Sequence, residues 1–277
     1  MKHTLPLLLA LLTALGCSPR SEKTSRGHAS HTARASVAIL GDDTRTSFRK
    51  GLLQAGCTTR SPWSASIDER IALLAKADAC IVVVDSTQGP MPIHREDILL
   101  TNRFSRGPIF IAFSNTSLID DPELLELEEL ELRELMNTYG LPGDTAEFFF
   151  DSERAKTPLP RGYSAAANVL RKIPKQPSPN TQPVTEGALP ATIYCLTKEE
   201  LFNKYLATTL RTGTFDLVFA SGPTSALVQL DSPLSPGANS TGSVTVEKGT
   251  DIGPQGKFVI VKNNHVIAVG IAIRETH

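Results

Sequence analysis

Between residues 36 and 174, short unbroken apolar runs alternate with amphipathic stretches. The runs are Val37–Leu40, Cys80–Val84, Ile109–Phe113 and Phe148–Phe150. Runs of this length without polar interruption suit strands buried on both faces. Between them, Ser66 opens a helix, Glu69 is placed to complete a capping box, and Ile67, Ile71 and Leu74 share one face. A second helix begins near Asp121, carries Pro122 in its first turn and stops at Gly140. Along its Glu123–Glu134 run the leucines are expected to pack on the sheet and the glutamates to stay in water. Strand–helix alternation predicts an α/β domain with a mostly parallel sheet. After a linker at 175–188 rich in Pro, Ser, Thr and Gln, the period changes to two. Thr192–Leu196, Phe215–Phe219, Ala226–Leu230, Ser243–Val246, Phe258–Val261 and Val266–Ile273 read as strands. Lys262-Asn263-Asn264-His265 supplies a tight turn, because asparagine tolerates the positive φ that such hairpins require. A small antiparallel β-barrel over residues 189–277 is the expected result.

The N-terminus follows neither pattern. Lys2 and His3 precede an apolar run from Leu5 to Leu15, followed by Gly16 and Cys17. A charged start, a short apolar core and a small residue before the cut describe a secretory signal. The run is too short to cross a bilayer as a permanent helix. Its ending, Ala14-Leu15-Gly16-Cys17, resembles the lipobox of bacterial lipoproteins, which implies lipidation of Cys17 and cleavage before it. Several acyl chains on one residue anchor durably where one chain does not. Residues 18–35, rich in Ser, Thr, Arg and His, read as a flexible tether. Ser18 and Pro19 after the cysteine, with no aspartate, imply an outer-membrane address by resemblance to sorting in two-membrane bacteria.

Composition changes this picture little. The 277 residues are 40% hydrophobic and 21% charged, with a formal net charge of -1. So balanced a charge gives no sign of the basic surface that nucleic-acid binding needs, and no nucleic-acid partner is expected. Cys57, Cys80 and Cys195 form no CxxC pair and no metal spacing with histidine. Cys80 and Cys195 sit in strand-like runs and read as buried small hydrophobes. An odd count leaves at least one thiol free in an exported protein.

Two segments are similar to translation elongation factor Tu. In the first, Ala77–Gly143, the stretches DSTQGPMPIHREDILL and DDPELLELEELELRELMNTYGLPGD resemble that factor's GTPase domain. In the second, Leu189–Ile273, ATIYCLTKEE, the Ser235-Pro236-Gly237 turn and KFVIVKNNHVIAVGIAI resemble its third domain, a β-barrel. The family's middle barrel has no counterpart. The resemblance implies a P-loop-GTPase-like α/β domain at 36–174, joined by the linker to the barrel. A fold does not guarantee chemistry, so the nucleotide motifs decide the function.

Each of those motifs is damaged. A phosphate loop needs G-x-x-x-x-G-K-S/T, whose backbone N–H groups and lysine hold phosphates and whose hydroxyl binds Mg²⁺. Here the matching stretch is Gly41-Asp42-Asp43-Thr44-Arg45-Thr46-Ser47-Phe48. Gly41 matches the first glycine, while Thr46, Ser47 and Phe48 replace the second glycine, the lysine and the metal ligand. Asp42 and Asp43 add negative charge where a phosphate would sit. The metal-linked D-x-x-G falls on Thr59–Ser64, which has neither residue, and the family's water-positioning histidine falls near Trp63 or Ser64. Only about twenty residues separate Gly41 from Pro62, too few for a nucleotide-driven order–disorder segment. The guanine-reading N-K-x-D is Asn115-Thr116-Ser117-Leu118, of which Asn115 alone survives. At the last motif Asp151-Ser152-Glu153-Arg154 keeps Ser152.

The vestigial nucleotide-binding residues are therefore Gly41, Asn115 and Ser152, with no catalytic residue and no cofactor expected. The leading reading is a non-catalytic envelope lipoprotein, a binding or scaffold module held to the membrane by Cys17 and serving an envelope protein partner. Two alternatives stand beside it. One is a GTP- and Mg²⁺-binding relative with residual GTPase activity. The other is a divalent-cation protein using Asp42, Asp43, Asp85 and Asp151 at the carboxyl edge of the sheet, where ligands of open α/β sheets bind. Against the cation reading, such residues are ordinary starters of loops. His94 is expected to be a helix-start or packing residue.

Overall fold

The computed structural model describes residues 34–62, 66–152, 162–177 and 187–273. Cys17, nearly all of the tether, Trp63, Ser64, Glu153 and Arg154 lie outside these. Among the described residues no helix is long and apolar enough to cross a membrane.

Five strands, β1 (Ser36–Gly41), β2 (Thr58–Arg60), β3 (Ala79–Asp85), β4 (Ile109–Ser114) and β5 (Phe148–Phe150), form one sheet in the order β2-β1-β3-β4-β5. Every pairing is parallel. Five helices intervene or follow: α1 (Arg45–Gln54), α2 (Ile67–Leu74), α3 (Pro92–Phe104), α4 (Pro122–Thr138) and α5 (Gly162–Leu170). Strand side chains alternate between two buried faces, as a doubly covered parallel sheet requires. Val37, Ile39, Ile81, Val83, Ala112 and Phe149 join Phe48 and Leu52 of α1 and Ala166, Ala167 and Leu170 of α5. Leu40, Val82, Val84, Phe113, Phe148 and Phe150 face the other side, in a cluster that includes Ile67, Ile71 and Leu74 of α2 and runs on into the barrel core.

The barrel is closed and antiparallel. Its strands β6 (Ala188–Cys195), β7 (Gly213–Phe219), β8 (Gly222–Leu230), β9 (Asn239–Thr245), β10 (Lys257–Lys262) and β11 (His265–Ala272) run β10-β11-β6-β9-β8-β7, and β10 pairs with β7 to close the ring. Closure leaves no free edge. At the predicted turn, Asn263 and Asn264 have φ of 52° and 60°. Asn264 has a second role, since its Oδ1 accepts the N–H of Ile67 at 3.1 Å. A barrel turn thereby satisfies one of the orphan donors at the start of α2.

The expected face of α4 is corrected by the structure. Leu125, Glu128, Leu132 and Met136 are the buried positions, while Leu124, Leu127 and Leu130 are exposed. The helix begins as read, with Asp121 accepting from Glu123 N at 2.9 Å. Cys57, Cys80 and Cys195 are all buried and unpaired. Burial pushes the Cys80 thiol up to about 12 and the Cys195 thiol up to about 11, so both stay protonated and inert.

Candidate functional site

In an open parallel sheet, ligands bind beyond the strand carboxyl ends, where the strand order reverses. Because β1 lies between β2 and β3, that point falls where β1 ends at Gly41 and β3 ends at Asp85. A phosphate-wrapping loop would need an arch here, with successive N–H groups turned inward. The chain provides no such arch. Asp42, Asp43 and Thr44 alone connect β1 to α1. Arg45 N donates to Asp42 O at 3.1 Å and Thr46 N to Asp43 O at 3.3 Å, so the connection is already a helical turn.

The carboxylate of Asp42 fills the crevice. Its Oδ1 accepts from Thr44 N at 2.8 Å and from the Thr44 hydroxyl. Its Oδ2 accepts from Asp85 N at 2.7 Å and lies 3.1 Å from His94 Nε2. His94 is fully buried in the first turn of α3, where Nδ1 accepts from Met91 N at 2.9 Å. That bond assigns the proton to Nε2, which donates to Asp42. Burial works against a charged Asp42, but donors on His94, Thr44 and Asp85 outweigh it and hold the carboxyl below its ordinary range.

Gly41 and Arg45 are explained by the same close packing. Gly41 adopts φ of 107°, and a Cβ there would collide with the carbonyl of Val83 on β3. Its N–H donates to Asp97 Oδ2 at 2.8 Å, away from the crevice. Arg45 Nη1 is spent on the carbonyls of Gly41 (3.0 Å) and Asp42 (2.8 Å). Asp43 projects into solvent, 3.6 Å from Arg45.

On the opposite side, Asn115 has a left-handed backbone, with φ of 59°. Its N–H donates to Asp151 Oδ2 at 2.8 Å and its Nδ2 to Asp85 Oδ1 at 3.0 Å. Asp151 Oδ1 takes Thr116 N (3.2 Å) and Oγ1 (2.7 Å), and Asp85 Oδ1 takes Thr87 N (2.9 Å) and Oγ1 (2.8 Å). Ser152 lies half-buried beside Asp151. Ser114 Oγ donates to Thr44 Oγ1 at 2.6 Å and ties the two sides together. Asp42, Asp85 and Asp151 are each turned to donors of the loops. Among the described residues no group of three or more His, Cys, Asp or Glu side chains is arranged to hold a metal ion.

A guanine nucleotide with magnesium does not fit these residues. The donors around the end of β1 already hold Asp42, and Asn115 is spent on the loops of Asp85 and Asp151. No protein-family model matches the chain. What the edge can do is therefore set by its own groups, and these form a satisfied polar lock that joins the ends of β1, β3, β4 and β5.

A second constellation was not found from the sequence. Arg70 of α2 forks onto Asp97 Oδ1 and Glu96 Oε2 of α3, each at 2.6 Å, and all three side chains are almost wholly buried. Asp97 reaches Gly41, as above, and Glu96 Oε1 accepts from Val266 N of the barrel at 3.0 Å. The triad thus connects the crevice to β11. Its signal was in the periodicity: Arg70 lies three residues after Ile67 and so belongs to the apolar face of α2.

Proposed function

We propose that this chain is an envelope lipoprotein derived from elongation factor Tu, whose nucleotide edge has become a structural lock and whose body is a non-catalytic binding or scaffold module. The observation that carries the reading is the Asp42 carboxylate, which takes the donors a phosphate would need. An anion built into the chain cannot leave, so the edge holds a single state. A switch needs two states that a ligand distinguishes. The similarity of DSTQGPMPIHREDILL and of the barrel segment to the elongation factor supports the ancestry. The Ala14-Leu15-Gly16-Cys17 pattern supports anchoring through Cys17, and Ser18 and Pro19 after it support an outer-membrane address in a two-membrane bacterium, where an envelope protein would be the partner.

Labelling with palmitate in a bacterial host, followed by detergent partition, tests the anchor. The full chain is expected to carry label and partition with detergent, and Cys17→Ser to do neither. Label on the Cys17→Ser variant, or none on the parent, would contradict the anchor. A phosphate-release assay tests the other half, with GTP turnover by the purified chain expected at the buffer background. Turnover that disappears on removal of Mg²⁺ would restore the GTPase reading.

A further inference from the structure

A cleft of about 680 Å³ opens between the ends of α2 and α3 and the barrel loop 251–255. Its size falls within the range of small-molecule sites. The lining is unusual in charge. Lys76 just beyond α2, Arg103 from α3, Arg106 just beyond it and Lys257 from β10 all face the cleft, and Asp251 is the only acid among the described lining residues. Asp251 is turned at least partly to its own loop, where Oδ1 accepts from Gly253 N at 2.9 Å and its carbonyl accepts from Ser221. Arg106 is engaged by the carbonyls of Ala75 and Pro177. Arg103 and Lys257 are different. Both are partly buried, and among the described residues neither side chain makes a hydrogen bond or ion pair.

Two cations half-removed from water with no anion are costly, and proteins ordinarily pair such groups. Burial lowers the proton affinity of Arg103, and burial followed by repulsion from Arg103 lowers that of Lys257. Phe104, Ala72, Ala220 and Ile252 give the cleft an apolar floor, while Ser105 and Gln255 add polar groups to its wall. A guanidinium fork with a neighbouring ammonium matches phosphate oxygens, and an apolar floor accommodates an organic remainder.

We propose that this cleft binds a small organic phosphate dianion, with Arg103 and Lys257 as its charge partners and the apolar floor against its carbon skeleton. The site lies away from the Asp42 edge and is independent of the proposed function.

Titration calorimetry of the full chain with phenyl phosphate and with pyrophosphate tests this. Saturable binding to one site, tighter than about 1 mM, is expected, and it weakens between about 50 and about 300 mM salt. Arg103→Gln and Lys257→Gln are each expected to weaken it by about tenfold or more, while Lys204→Gln on the exposed barrel surface leaves it unchanged. Each of the two cleft variants is also expected to melt a few degrees higher than the parent without anion, because the repulsion is gone. Absence of saturable binding by the parent chain, or binding that both cleft variants retain in full, would overturn the proposal.

Discussion

Asp42 takes four donors, two of them backbone N–H groups, at the sheet edge where open α/β sheets ordinarily leave room for a ligand. Its removal would strand Asp85 N and His94 Nε2 in a buried place. Asp42→Ala is therefore expected to cost about 1–3 kcal/mol in urea unfolding. The pH dependence has a definite sign. Its folded value lies below the ordinary aspartate value of 3.8. Its stabilisation is thus complete above that value and drains away as pH falls through the lower folded one. Glu128 runs the opposite way. Burial, then Glu131 and Asp85, push it up to about 7 from 4.5. Its stabilising protonated form is present below 4.5 and lost as pH rises through about 7. Glu128→Gln should thus raise the unfolding free energy at pH 8 by on the order of 2 kcal/mol and change it little at pH 4. An equal effect at both pH values would contradict this. The extra charge at Asp42 was legible in the sequence, but its partner was not. His94 lies fifty-two positions away and reads by itself as a helix-start residue.

Elements were more legible than single side chains, because a period averages over several residues. The four apolar runs between residues 36 and 174 became strands within a residue or two, and the two-residue period beyond the linker gave all six barrel strands. Strand β2 escaped because Thr58–Arg60 is three residues long and carries no apolar side chain. Helix α4 was located correctly, but only Leu125 and Leu132 of its leucines are buried, and Glu128 is buried with them. Leucines at 124, 125, 127, 130, 132 and 135 offer two competing stripes, and the one that packs includes Glu128. A charged residue on the buried stripe defeats any rule that sends leucine inward and glutamate out. The corrected face makes a prediction in denaturant titration. Leu132→Ala should cost about 2–5 kcal/mol through cavity formation, whereas Leu127→Glu should change stability by no more than about 0.5 kcal/mol. Comparable losses at the two positions would show that the assigned face is wrong.

At the scale of the whole molecule, the α/β layer and the barrel share one core cluster and are joined by buried polar contacts. Asn264 holds the start of α2, and Glu96 holds both Arg70 and the first residues of β11. Heating should therefore give one calorimetric transition. Glu96→Ala, which leaves Arg70 with Asp97 alone and Val266 N unpaired, should lower stability by about 3 kcal/mol without splitting that transition. Two resolved transitions in the parent chain would contradict the shared core. The pairing of the layers was not legible in the sequence, since the contacts that make it lie up to 197 positions apart. The carboxyl edge of the sheet is closed by the chain's own carboxylate. Isothermal titration of GTP and GDP with Mg²⁺ into the purified chain tests it most directly, with pyrophosphate as competitor. Neither nucleotide is expected to give heat beyond what pyrophosphate produces at the basic cleft. Micromolar, Mg²⁺-dependent binding of GTP that pyrophosphate does not displace would contradict it.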